Sequence, residues 1–220
     1  MKRLLAATTA GVISLTAGVA GSHPHVFVGG GAHFGMNENG ELERLHISWI
    51  YDTYASLYLL SYLDVDKDGD RVLTDEDKKL ILADQTNWPA TFAGDSYLRV
   101  DGKKIAMSKP VDADTRILED GRVEVTFDRV LDEPIKPGQG KLAASVKLYD
   151  PTFYYAYEVS ESPEIRGAGA DCSARHIPYD PAAPGLASLR TELAALGRDE
   201  TPEQEDVGAL FADELILSCD

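Results

Sequence analysis

The stretch HVFVGGGAHFGMNENGELERLHISWIY (residues 25–51) alternates apolar and polar residues on either side of Asn39-Gly40, a dipeptide that favours tight hairpin turns. It predicts two antiparallel strands, 25–36 and 41–51. With a two-residue turn, Phe34 faces Leu45, Ala32 faces Ile47 and Gly30 faces Trp49. One face of the hairpin is then apolar, which pins the register, because a one-residue slip would turn that face to water. His33 falls opposite His46 on the other face, with Cβ atoms roughly 4.5–5.5 Å apart, close enough to share an ion.

Beyond the hairpin, 53–63 reads as an apolar, Tyr-rich helix. A second helix runs from 75 to about 87 and is halted near Trp88-Pro89. Between them lies DKDGDRVLTDED (residues 66–77), spaced as a twelve-residue calcium loop of the EF-hand type. Asp66, Asp68 and Asp70 take positions 1, 3 and 5, Val72 offers its carbonyl at 7, Thr74 stands at 9 and Asp77 closes at 12. Thr74 with Asp77 also forms a capping pair for the second helix. Arg71 replaces the usual Gly at position 6, where a left-handed backbone costs a non-Gly residue about 1–2 kcal/mol. Asp77 is shorter than the usual Glu, so binding is expected to be weak. A start at Asp64 would put Gly69 at position 6 but Arg71 at an apolar position. An acidic turn that only caps a helix is the plainer alternative. Residues 64–77 nevertheless hold seven carboxylates against Lys67 and Arg71, a repulsion that Ca²⁺ would relieve.

The middle of the chain predicts strands at 95–100, 103–108, 111–119, 122–131, 141–149 and 153–160. After Pro163 the chain reads as irregular, followed by short helices near 186–197 and 203–213 and a terminal strand ending at Cys219. The expected class is α+β: a mainly antiparallel sheet with an inserted EF-hand-like helix–loop–helix and short C-terminal helices.

Residues 1–20 have the form of an export signal, with Lys2 and Arg3 ahead of a modest apolar stretch ending in small residues. Cleavage is expected after Ala20, or alternatively after Ser22, leaving a single periplasmic domain over 21–220. Thr8, Thr9, Ser14 and Thr16 make the stretch a poor membrane anchor. Without Lys2 and Arg3, 19 basic side chains face 37 acidic ones, and the formal charge moves from −16 to −18. Such a balance argues against nucleic acid as a partner, since phosphate contacts need cations. The two cysteines, Cys172 and Cys219, are expected to form one disulfide in an oxidising compartment.

Of five histidines, four fall within 23–46. His23 and His25 flank Pro24, which favours extended backbone, so both rings project to one side. Two imidazoles so placed can share Zn²⁺, Ni²⁺, Co²⁺ or Cu²⁺. His33 and His46 are further candidates through the hairpin register, and His176 stands alone. Asp52 is read as a helix N-cap rather than a ligand. The aromatics of YDPTFYY (residues 149–155) are read as core and sheet surface. No nucleophile elbow, HExxH or phosphate loop is present, so no motif requires an enzyme.

The export signal running into HPHVF, with SWIYD, LDVDKDGDRVLT, LYDPTFYYAY and the late cysteine pair, resembles a domain-of-unknown-function family. That family is often labelled the periplasmic component of an uncharacterised ABC-type transport system, and its genes commonly neighbour nickel/cobalt-type transporters. The resemblance covers roughly residues 23–219. It implies a periplasmic role in transition-metal handling, with His23 and His25 as the matched metal candidates and Asp66, Asp68, Asp70 and Asp77 as the family's acidic loop. The expected function is a periplasmic accessory protein that delivers Ni²⁺, Co²⁺ or Zn²⁺ to a membrane metal transporter, with a structural calcium-type loop. The alternatives are a solute-binding protein for an organic ligand, or a metallo-hydrolase built on His23 and His25.

Overall fold

A computed structural model describes residues 23–89, 91–136, 144–168, 171–197 and 199–219; the expected export signal, and the 137–143 connection with the start of the strand expected at 141–149, lie outside the described residues. The hairpin forms as β1 (Val26–Met36) and β2 (Leu42–Tyr51). Its register matches the expectation at Phe34–Leu45, His33–His46, Ala32–Ile47 and Gly30–Trp49. The turn does not. Three residues, Glu38 to Gly40, make the connection: Asn37 N–H donates to the Glu41 carbonyl and Gly40 N–H to that of Asn37. Gly40 takes the left-handed backbone (φ 71°) that a three-residue loop needs. The extra turn residue is cancelled by a bulge, because Gly35 opposes Arg44 while Met36 opposes Leu42, leaving Glu43 unpaired.

Helix α1 (Thr53–Leu63) and helix α2 (Asp75–Thr86) follow as expected. Asp52 caps α1, its Oδ1 accepting from Tyr54 and Ala55 N–H, while Oδ2 accepts from Phe27 N–H and so ties the helix to β1. Leu59, Val65 and Ile81 anchor the pair on the main core. The chain continues through β3 (Ser96–Val100), β4 (Lys103–Lys104), β5 (Val111–Ile117), β6 (Val123–Ile135), β7 (Ala144–Leu148) and β8 (Tyr155–Val159). The strand expected over 103–108 shrinks to two residues.

The segment after Pro163 is not irregular. It supplies β9 (Ile165–Gly167) and β10 (Cys172–Ile177), before α3 (Leu186–Ala195) and β11 (Glu214–Cys219). The helix expected at 203–213 is only a 3-10 turn, Val207–Leu210.

The class is α+β, with two mostly antiparallel sheets. One runs β5-β6-β2-β1-β8, with β9 also beside β1; the other runs β10-β11-β7-β3-β4. β8 and β9 pair with β1 in parallel. Phe34, Ile47, Trp49, Val125 and Phe127 of the first sheet share one core with Leu98, Val146, Leu148 and Leu217 of the second. Close pairing of β1 with β2 needs Gly30: a Cβ there would lie 2.0 Å from the Ser48 carbonyl oxygen, at a φ of 128°. In a separate apolar cluster, α3 brings Leu186 and Leu193 against Val207 and Phe211.

Cys172 and Cys219 stand directly opposite each other on β10 and β11 and form the disulfide, 47 residues apart in sequence. Closing a loop of that length is worth about 4 kcal/mol in the chain-entropy model. Replacing both cysteines by serine should therefore lower the thermal midpoint by roughly 10 °C. An unchanged midpoint would show that the two strands hold without the bridge.

Candidate functional site

The parallel pairing of Val26 with Tyr155 sets the chain ahead of β1 against the chain ahead of β8. There, His25 N–H and Val26 N–H both donate to the Tyr154 carbonyl, at 2.8 and 3.2 Å. The rings gather: His23 and His25 lie 4.8 Å apart between centroids, and His25 lies 4.7 Å from Tyr154. Asp150 places Tyr154 by accepting the N–H groups of Thr152, Tyr154 and Tyr155. His23 Nδ1 and His25 Nε2 are buried without a hydrogen-bond partner. Burial pushes the His23 imidazole below its ordinary value, and the neighbouring His25 adds to this, against a smaller opposing pull from Asp150. Its ring nitrogens thus keep a lone pair for a ligand at neutral pH.

His25 also opens onto a cleft of about 620 Å³ between β8 and the two helices. Tyr54, Tyr58 and Tyr62 of α1, spaced four residues apart, form one wall, and Tyr51, Tyr154 and Tyr155 much of the rest. Of the YDPTFYY aromatics, Phe153 stacks on Phe211 as packing, but Tyr154 and Tyr155 face the cleft. The i, i+4, i+8 spacing in α1 was the sequence signal for this wall; nothing local pointed to Tyr154.

The four histidines do not converge. His33 and His46 line a separate cavity of about 330 Å³ with Glu124, Glu161, Arg116 and Arg166. Their rings are 6.0 Å apart. His33 Nδ1 accepts the Glu164 N–H at 3.1 Å, which puts the proton of the neutral ring on Nε2, 3.5 Å from Glu161 Oε2. Both nitrogens thus face protein groups. Burial, reinforced by Arg166, holds its pKa low. His46 Nδ1 donates to Asp128 Oδ1 at 2.7 Å, leaving Nε2 as its available lone pair. His176 is likewise paired with Asp213.

In the acidic loop, carboxylate oxygens of Asp66, Asp68 and Asp70 lie within 4.8 Å of one another and could hold a metal ion. Gly69 (φ 71°) and Arg71 (φ 66°) are both left-handed, and Arg71 N–H donates to Asp66 Oδ1 at 3.1 Å. The backbone thus adopts at Arg71 the turn that Gly normally makes there. Asp77 stands apart: its Oδ2 accepts from Thr74 N–H and Oγ1, completing a capping box for α2. Those hydrogen bonds hold its carboxyl below the usual range.

One group escaped the sequence reading. Asp95, at a left-handed φ of 44°, is buried just ahead of β3. Tyr157 O–H donates to its Oδ2 at 2.8 Å, while Oδ1 has no partner. Burial lifts this carboxyl to about 7. The two residues are 62 apart, and no local pattern announces such a pair.

The chain belongs to the family described as a protein of unknown function (DUF1007), which matches residues 8–219. No curated protein matches it.

A raised carboxyl pKa means that the folded state keeps a proton the unfolded chain has lost. Asp95 therefore costs no stability below the ordinary carboxylate value, a growing amount as pH rises towards about 7, and a constant amount above. Asn keeps an acceptor for Tyr157 and tolerates the left-handed backbone. Asp95→Asn should match wild type near pH 4 and gain roughly 2–4 kcal/mol above pH 7 in denaturant titrations. A difference independent of pH would refute the assignment.

Proposed function

We propose that this family member is an exported metal-binding accessory protein of a transition-metal transport system. It takes Ni²⁺, Co²⁺ or Zn²⁺ at His23 and His25 in the periplasm and passes the ion to a membrane transporter. One observation carries the reading: two adjacent imidazoles each keep a buried nitrogen with no partner. An unsatisfied buried group costs about 1–3 kcal/mol, and one ion between the rings relieves both. Imidazole suits these borderline ions. Among the described residues, no third His, Cys, Asp or Glu donor converges with the pair. Two donors leave coordination positions open, as suits a carrier that must release its ion.

Other features agree with export. The chain has a disulfide, and no described helix is long and apolar enough to cross a membrane. The formal charge of −16 draws cations towards the surface. The Asp66–Asp68–Asp70 cluster would take Ca²⁺, a hard cation that prefers oxygen, and tie α1 to α2. A second reading, binding of an organic solute, is favoured by the tyrosine-walled cleft beside His25.

Protein purified without a histidine tag should bind Ni²⁺ or Zn²⁺ in calorimetric titration. The His23→Ala/His25→Ala variant should bind at least about tenfold more weakly. Equal binding by the double variant would end the proposal.

For the loop, about 10 mM Ca²⁺ should add roughly 1–3 kcal/mol if affinity lies in the weak range of extracellular modules. Asp66→Ala should remove that gain. If calcium leaves the thermal midpoint of wild type unmoved, the loop is a capped turn and nothing more.

A further inference from the structure

We infer that the ion reaches this protein already chelated: the tyrosine cleft holds a small organic chelator bearing a flat ring, while His25 and His23 complete the coordination of its metal. The inference rests on the metal reading of those two histidines and names the form of the cargo. Size is the first argument. A water molecule occupies about 30 Å³, so four waters on an ion held by two imidazoles need roughly 120 Å³. The cleft measures about 620 Å³, several times what a hydrated ion fills.

Wall chemistry is the second argument. An ion with its water shell is best held by carboxylates and carbonyls. Here Asp84 is the single carboxylate among the lining residues, and six tyrosines dominate. Aromatic rings gain by stacking on, or meeting edge-on, another flat ring. Tyr54, Tyr58 and Tyr62 are 86%, 71% and 66% exposed, so their faces are uncovered. Tyr58 and Tyr62 lie parallel within 7°, 5.9 Å apart, a stack that a further flat ring can extend.

The third argument is connection. His25 lines this cleft and also stands beside His23, with its Nε2 unpartnered. A chelate seated against the tyrosines therefore lies beside His25, whose ring stands against that of His23. Charge adds a preference: a complex with net positive charge is drawn to a chain of formal charge −16, and positive charge near aromatic faces is itself favourable.

The test compares two bidentate chelators, one with flat rings and one without, by calorimetry. The probes are Ni²⁺ alone, equimolar Ni²⁺ with 2,2′-bipyridine, equimolar Ni²⁺ with glycine, and metal-free bipyridine. Wild type should bind the bipyridine complex about tenfold tighter than the glycine complex, and metal-free bipyridine far more weakly. Tyr58→Ala/Tyr62→Ala should erase the preference and leave binding of Ni²⁺ alone unchanged. His25→Ala should weaken all three metal forms. If Ni²⁺ alone binds but both complexes bind equally, the chelate inference falls while the metal site stands. If no metal form responds to His25→Ala, the metal site itself falls. Metal-free bipyridine binding as tightly as its complex would overturn the inference, because the ring alone would then account for the site.

Discussion

The pairing of β1 with β2 fixes what the rest of the chain can do. The two strands lie in the middle of the first sheet, with β6 on one side and β8 and β9 on the other. Ala32, Phe34, Ile47 and Trp49 turn to the core, while His33, His46 and Ser48 turn away. A slip of one residue would exchange the two sets and bury imidazoles where Trp49 now packs on Trp88 and Phe127. Gly30 enforces the arrangement from the backbone side, since a side chain there would collide with the paired strand. The same strand, extended towards the N-terminus, carries His25 to Tyr154. The histidine pair thus depends on a register set by apolar residues further along the strand.

Local chemistry explains which parts of this were legible in the sequence. The helices, their caps, the acidic loop and the hairpin register rest on residues within a few positions of one another. The register came out right although the turn did not, because the bulge at Glu43 restores the residue that the longer loop takes. The disulfide was legible from parity alone. What escaped was long range. Parallel pairing of β1 with β8 and β9 joins segments about 130 residues apart, as the Gly30–Ser160 contact shows, and period-two alternation on each strand carries no hint of its partner. β10 looked irregular because its exposures alternate over only six residues. The separation of the histidines into two pairs follows from the same fact: β1 runs from one site to the other, and what covers each end comes from elsewhere in the chain.

The two cavities beside the histidines differ in a way that the ring nitrogens reveal. Around His33 and His46, each charge already has a protein partner: Arg116 meets Glu124, Asp128 meets His46 and Arg44, and Glu161 meets His33. A ligand entering there must break a pair before it gains one. At His23 and His25 no such partner stands in the way. An orphaned nitrogen on each ring is a cost that a bound partner would remove. Asp150, the nearest carboxylate to influence His23, is occupied with backbone N–H groups of the following turn.

The acidic loop shows how one motif can divide its labour. Three carboxylates converge, and the fourth, Asp77, serves the helix. Its bonds to Thr74 satisfy donors that α2 would otherwise expose, and they act whether or not a cation is present. Drawing Asp77 onto an ion would surrender that box. A short Asp, with one fewer methylene than Glu, must also reach further to do so. The two roles therefore compete for one side chain, and the competition sets a ceiling on affinity. Any binding of a cation would be weakened by the helix cap as much as by the Arg71 backbone, and a cation here would reinforce a loop that the capping box already shapes.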